Sequence, residues 1–183
     1  MHAQRSLVSP TSHPTLEAAL VDRLRRRNTA GGSFGQLEPL ALRIGLMQRS
    51  LRPRFHDPQL LIFAADHGIA VDGVQDAESR HTHEIVADLL AGRLPLSVFA
   101  RIQQLELAVV DCGVAENLPA HDQLLARKIA HGTRNSRVTA AMSVEQAHAA
   151  MRAGMELGNK LRGNISIFAG IGVGSHESAA LVI

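Results

Sequence analysis

The sequence has no tryptophan and no tyrosine, and its aromatic share is only 3%. Platforms for stacking nucleobases are therefore scarce, which argues against a nucleic-acid binder. Charge argues the same way: 19 Lys and Arg against 17 Asp and Glu leave a formal net charge of +2, too small for a phosphate-backbone footprint. One cysteine, Cys112, excludes an intrachain disulfide framework and suits a reducing cytoplasm. No apolar run reaches the ~18 residues a membrane span needs. The opening MHAQRSLVSPTSHPTLEAAL has no apolar stretch after a basic start, so it does not read as a secretory signal. The expectation is a soluble, cytoplasmic protein with neither nucleic acid nor membrane as a partner.

What is present suits a folded domain. The 183 residues are 45% hydrophobic and 20% charged, enough to bury a core. Residues 1–57 read as a loose tail followed by a helical arm. Thr15 is a candidate cap for a helix running to about Asn28, with Leu16, Ala19, Leu20 and Leu24 on one face. A Gly-rich break, Thr29–Gly35, precedes a second helix from Gln36 to about Arg49, and RPRFHDP closes the arm.

From residue 58 to 183 the pattern alternates. QLLIFAAD and LELAVVDCG are short, continuously apolar and bounded by turn signals, so they predict buried strands. Leu124–Gly132 predicts a weaker third strand, and Asn164–Gly170 a fourth. Helices are predicted over Thr82–Leu90, from Gly92-Arg93 to about Gln104, and after the capping box Ser143-Val144-Glu145-Gln146. That last helix carries Ala147, Ala150, Met151, Gly154, Met155, Gly158 and Leu161 at helical spacing, a smooth stripe for packing on a sheet. A final helix begins at Ser175. The expected fold class is α/β: a Rossmann-like parallel sheet with helices on both faces, plus the N-terminal helical arm. The apolar, uncapped Ala179–Ile183 suggests a domain cut short at its C-terminus.

Three predicted strands end in polar or glycine-rich clusters: Asp66-His67-Gly68, Asp111-Cys112-Gly113 and Gly170-Ile171-Gly172-Val173-Gly174. Ligands of open parallel sheets bind beyond such strand ends. Asp66 reads either as a ligand-binding carboxylate or as a turn residue bonding nearby N–H groups. His67 reads as structural before metal-binding, and Cys112 as a small buried hydrophobe. The glycines before Ser175 suggest an anion cradle or a tight turn. Their spacing is not the dinucleotide fingerprint, so NAD is not expected. In RHTHE, His81 and His83 at i, i+2 would point to different faces of a helix and could not chelate jointly. HGTRNS reads as an anion-binding loop through Thr133, Arg134 and Asn135, or as a solvated connection.

Taken together, these motifs resemble the nicotinate-nucleotide:dimethylbenzimidazole phosphoribosyltransferase family of cobalamin nucleotide-loop synthesis. AADHGIAVDGV resembles its ADHG…GV segment, with Thr82 where the family has a Thr. AVVDCGV resembles its VIDVGI strand, GTRNSRVTAAMS its GTxN…PAMS, GGSFGQLEPLA its PPGSLGRLExLA, and GIGVGSHESAA its GEMGIGNTTSAA. The resemblance implies transfer of a phosphoribosyl group from nicotinate mononucleotide to 5,6-dimethylbenzimidazole, giving α-ribazole 5'-phosphate and nicotinate. No metal and no cofactor are implied. A homodimer, or pairing with a related chain, is. The substrate-binding positions it implies are Asp66, His67, Gly68, Ala77, Thr82, Ile85, Gly170, Gly172, Gly174 and Ser175.

Several positions depart from the family pattern. The family's general-base Glu would lie beyond Ile183, and its Glu in GEMGIG aligns with Gly170. The Ser and Gln that line the family's benzimidazole slot fall on Ala77 and Ile85, and a Lys falls on Thr29. A non-catalytic relative that binds a base or nucleotide, or partners a full-length transferase, is therefore a second reading. A metal-dependent hydrolase using Asp66, His67 and Asp111 is a third.

Overall fold

The computed structural model describes residues 10–73 and 80–182. The chain divides into two compact units, Met1–Arg54 and Phe55–Ile183. In the first, α1 spans Pro14–Gly31 and α2 spans Leu37–Met47. The cap of α1 is His13 rather than Thr15: its Nδ1 accepts the Leu16 N–H at 3.2 Å, and Pro14 behind it suits the first helical position. The helix outruns the expected Asn28 by one turn and stops at Gly32, whose φ of 77° favours glycine. One carboxylate, Glu38, then holds the turn, accepting from Asn28, Ser33 and the Phe34 N–H at 2.7–2.9 Å.

The second unit is built on four parallel strands: β1 Gln59–Ala65, β2 Glu106–Gly113, β3 Leu124–Ala126 and β4 Ser166–Ile171. Their order is β3-β2-β1-β4, with Ile62 opposite both Val109 and Ala169. The two central strands are the continuously apolar ones, as burial on both faces requires. The Rossmann-like α/β expectation therefore holds. The edge strands are displaced from expectation. β3 keeps only three residues, because the chain leaves the sheet at Arg127. β4 starts at Ser166 because Asn164 is taken up in the turn facing His56, whose N–H its Oδ1 accepts at 3.1 Å.

Helices α3 (Thr82–Leu90) and α4 (Pro95–Ile102) cover one face of the sheet. Leu60, Ile62, Ala64, Val86, Leu89, Leu107, Val109 and Val114 form its closed core. Helix α5 (Val144–Gly158) covers the other face, where only Leu61, Val110 and Leu157 are buried together. The capping box is present: Ser143 Oγ accepts from Gln146 N at 3.2 Å and Gln146 Oε1 from Ser143 N at 2.8 Å. The stripe expected to meet the sheet is rotated, however. Gln146, Ala150, Ala153, Gly154 and Leu157 face inward, while Met151 and Met155 are 65% and 61% exposed. Leu161 packs with this cluster from beyond the helix end. A short α6, Ser175–Ala180, follows β4. Among the described residues no helix is long and apolar enough to cross a membrane.

Candidate functional site at the strand ends

The C-terminal edge of the sheet is one connected structure. β1 and β2 lose register between Ala64 and Ala65, where Ala65 pairs with Gly113 rather than Cys112. This irregularity bends the strand ends toward each other. The Asp66 N–H donates to Gly113 O at 3.0 Å and the His67 N–H to Val173 O at 2.9 Å. All three strand-end clusters therefore do meet at one edge.

Asp66 is the knot. Its Oδ1 accepts the Thr82 hydroxyl, its Oδ2 accepts the Ala115 N–H at 2.7 Å, and its carbonyl accepts the Thr133 N–H at 3.1 Å. Thr82, 1% exposed, passes the link on by accepting the Val173 N–H at 3.0 Å. One carboxylate and one hydroxyl so fasten four segments. Asp111, 4% exposed, closes the β2 turn. Its Oδ1 accepts from Gly113 and Val114 N–H at 3.1 and 3.0 Å, and its Oδ2 faces the Lys128 ammonium at 3.4 Å. Both carboxylates are thus engaged by protein donors. That removes the ground for the hydrolase reading, which needs them open to a metal. Among the described residues no group of three metal-ligating side chains occurs.

The DHG and GTRN motifs belong to each other. A Cβ on Gly68 would lie 2.5 Å from the Thr133 carbonyl oxygen and 2.6 Å from Asn135 N, so only glycine permits the two loops to touch. The Gly68 N–H donates to the Thr133 hydroxyl at 3.1 Å, Arg134 Nε to Ala140 O at 2.8 Å, and Asn135 Nδ2 to Asp72 at 3.0 Å. Thr133 and Asn135 thus join HGTRNS to the loop after β1, while the exposed Arg134 bonds within its own segment. The Gly170–Gly174 turn shows the same economy. A Cβ on Gly172 would fall 1.6 Å from Ala65 O. The Val173 N–H is taken by Thr82 and the Ser175 N–H by Gly172 O at 3.2 Å. Gly174 has φ 75° and sits against His67, whereas Gly170 faces open space.

A cavity of about 330 Å³ opens beside this knot, on the α5 face. Phe63, Val110, Cys112, Ile129, Ala150 and Leu157 contribute apolar wall, and Asp66, His67, Thr133, Arg127 and Gln146 bring the polar groups. Burial lowers the His67 pKa below its ordinary value, against the pull of Asp66 and Glu177, so the ring is neutral at pH 7. Burial, then the neighbouring Asp111, pushes the Cys112 thiol up to about 11. It is protonated and no nucleophile at neutral pH.

The expected site residues therefore separate. Asp66 and His67 line the cavity, and Gly68 fixes the loop beside it. Thr82 begins α3, which also carries the half-buried Ile85, and α3 packs on the opposite face. Ala77 lies outside the described residues. The cavity residues Phe63, Arg127, Gln146 and Ala150 were not anticipated. The available signal was the run of small residues on α5, which leaves room where close packing was expected. His81 and His83 also differ from expectation: their rings stack with centroids 5.6 Å apart. His81 is the extended residue preceding α3, so helical angular spacing does not separate the pair.

Comparison with known proteins agrees with this architecture. The sequence model of the DBI_PRT family, described as phosphoribosyltransferase, matches residues 9–183. A nicotinate-nucleotide–dimethylbenzimidazole phosphoribosyltransferase of Janthinobacterium sp. (strain Marseille) is 38% identical over 173 residues, covering 94% of this chain and 50% of the relative. The protein of the same name in Variovorax paradoxus (strain S110) is 39% identical over 176 residues, covering 96% of this chain and 50% of its own length. The crystal structure of the Thermus thermophilus protein of that name superposes with a TM-score of 0.77 at 28% identity, over 92% of this chain and 52% of that one. The chain spans about half the length of the curated relatives it matches.

Proposed function

The chain belongs to the DBI_PRT phosphoribosyltransferase family, and on that premise we propose that its strand-end edge is the ring- and nucleotide-binding part of a phosphoribosyl transfer site. The reaction is transfer from nicotinate mononucleotide to 5,6-dimethylbenzimidazole. A benzimidazole nitrogen forms the new bond to the anomeric carbon. The bond to the pyridinium nitrogen breaks, and its electron pair neutralises the departing nicotinate ring. The benzimidazole N–H proton leaves to a base. The observation that carries this reading is the apolar cavity lying against the Asp66–Thr82 knot, at the sheet edge where open parallel sheets bind ligands.

Proton acceptance is assigned elsewhere. Asp66 and Asp111 are committed to structural hydrogen bonds, so neither is free to take this proton, and the family resemblance implies a Glu as the base. Without it, turnover should fall by about 10²–10⁴-fold. This same commitment favours a second reading: a non-catalytic relative that holds a base or nucleotide, or partners a full-length transferase. In either case the protein is cytoplasmic and works as a homodimer or beside a related chain.

A coupled assay with both substrates, following α-ribazole 5'-phosphate by mass, tests the first reading. Product above the buffer control supports it. No product, with calorimetric binding of either substrate retained, supports the second. Light scattering decides the dimer.

A further inference from the structure

The cavity beside α5 has Asp66, His67, Cys112 and Arg127 as the titratable side chains of its wall. Three of these are unsuited to take a proton from a bound ligand at neutral pH. Both Asp66 oxygens already accept, from Thr82 and Ala115. The Cys112 thiol keeps its own proton, and a guanidinium offers donors only. His67 differs. Its backbone is held on both sides: the N–H donates to Val173 O at 2.9 Å, and the carbonyl accepts the Ala70 N–H at 3.0 Å. Gly174 leaves room against it, where a Cβ would stand 3.1 Å from His67 Cβ. The ring itself is uncommitted. Among the described residues nothing hydrogen-bonds either ring nitrogen, and neither nitrogen is sealed from solvent. Burial favours the neutral ring, while the carboxylates of Asp66 and of Glu177 in α6 favour the cation. A neutral imidazole carries one free lone pair and becomes a cation on taking a proton. Two carboxylates stand near enough to stabilise that cation.

We propose that His67 is a proton acceptor of this site: its free ring nitrogen takes the N–H proton of a flat azole bound at the strand-end edge. The inference rests on the reading of that edge as a ring-binding site, and it adds a residue to the chemistry. The resemblance alone puts this task on a Glu, whereas the cavity wall carries an acceptor of its own. In the transfer, one benzimidazole nitrogen bonds the anomeric carbon as the bond to nicotinate breaks. The other nitrogen keeps the electron pair of its N–H bond, and the proton passes to the His67 lone pair. The imidazolium then returns the proton to water. Asp66 and Glu177 act only through their charge on that imidazolium.

Nitrogen-15 NMR of the histidine-labelled 183-residue chain tests the contact without turnover. Added 5,6-dimethylbenzimidazole should shift one His67 ring nitrogen toward a hydrogen-bonded acceptor. 1,5,6-Trimethylbenzimidazole, whose N–H is methylated, should leave it in place. In the coupled transfer assay, His67→Gln should lower kcat about 10²–10⁴-fold and leave KM within about twofold. The wild-type rate should fall as pH drops and His67 takes up a proton. Glu177→Gln should move that acid limb to lower pH, because a carboxylate favouring the imidazolium is gone. A His67 that only held the loop would not respond in this way. An unshifted nitrogen at millimolar benzimidazole overturns the proposal. So does an equal shift with the methylated ring, an unchanged kcat in His67→Gln, or an acid limb that Glu177→Gln leaves in place. Circular dichroism establishes that each variant is folded. If His67→Gln is not, the wild-type NMR pair and Glu177→Gln decide. A shift specific to the N–H ring without any α-ribazole 5'-phosphate would sink the transfer reading alone.

Discussion

The two faces of this sheet are built from the same strands and solve different problems. On the α3–α4 face, Ile62, Ala64, Val86 and Val109 are fully buried and leave no space. On the α5 face, Leu61, Val110 and Leu157 make a small core beside a 330 Å³ cavity, and Phe168 of β4 is 60% exposed. The strand sequences do not separate them, since odd and even positions of QLLIFAA are alike apolar. What differs is the partner helix. α3 offers Val86 and Leu89, whereas α5 offers Ala150, Ala153 and Gly154. Small side chains over a sheet either draw the helix close or leave a gap, and here they leave a gap at the strand ends.

The largest test lies where the faces meet the strand-end turns. Gly172→Ala places a methyl 1.6 Å from Ala65 O, so backbone must move. A loss above about 4 kcal/mol in urea unfolding is expected, and a mild loss would show that the edge is less rigid than drawn. Next comes the contrast itself. Ile62→Ala on the closed face should cost about 2–5 kcal/mol, while Phe168→Ala on the open face should cost less than about 1 kcal/mol. Equal losses would erase the distinction between the faces.

Thr82→Val keeps the shape but removes the hydroxyl between Asp66 and Val173. Two half-buried groups are left unpaired, at about 1–3 kcal/mol. Hydrogen exchange should quicken at the Val173 N–H and leave the β1–β2 centre unchanged. The smallest effect is a pH dependence. The His67 pKa is lowered in the fold, so the unfolded chain takes up the proton first as pH falls. The stability contribution is complete above the ordinary histidine value of about 6.5 and declines below it. The urea midpoint should therefore fall less between pH 7.5 and 5.5 in His67→Asn than in the wild type. An identical fall in both would remove His67 from the account.

Local chemistry made much of this legible. The two central strands, α3 and the Ser143–Gln146 cap could be read because apolar continuity and capping act over a few residues. The edge strands could not be bounded, because pairing on one side ends them where a partner ends. The motifs Asp66-His67-Gly68 and Gly132-Thr133-Arg134-Asn135 stood out as unusual strings, yet neither shows alone that each is the other's binding partner. Their polar groups looked available for ligands, and the fold uses most of them to join loops distant in sequence.

By itself, then, the sequence determined an α/β class, strand-end turns rich in glycine, and a resemblance carried on ordered motifs. Only the tertiary structure decided which groups remain for chemistry. Hydrogen-bond capacity is used up by whichever donor or acceptor arrives first in space, and a linear string does not record arrivals. Asp66 is an acid in the sequence and a fastening in the fold. Arg127, one arginine among many in the sequence, lines the cavity in the fold.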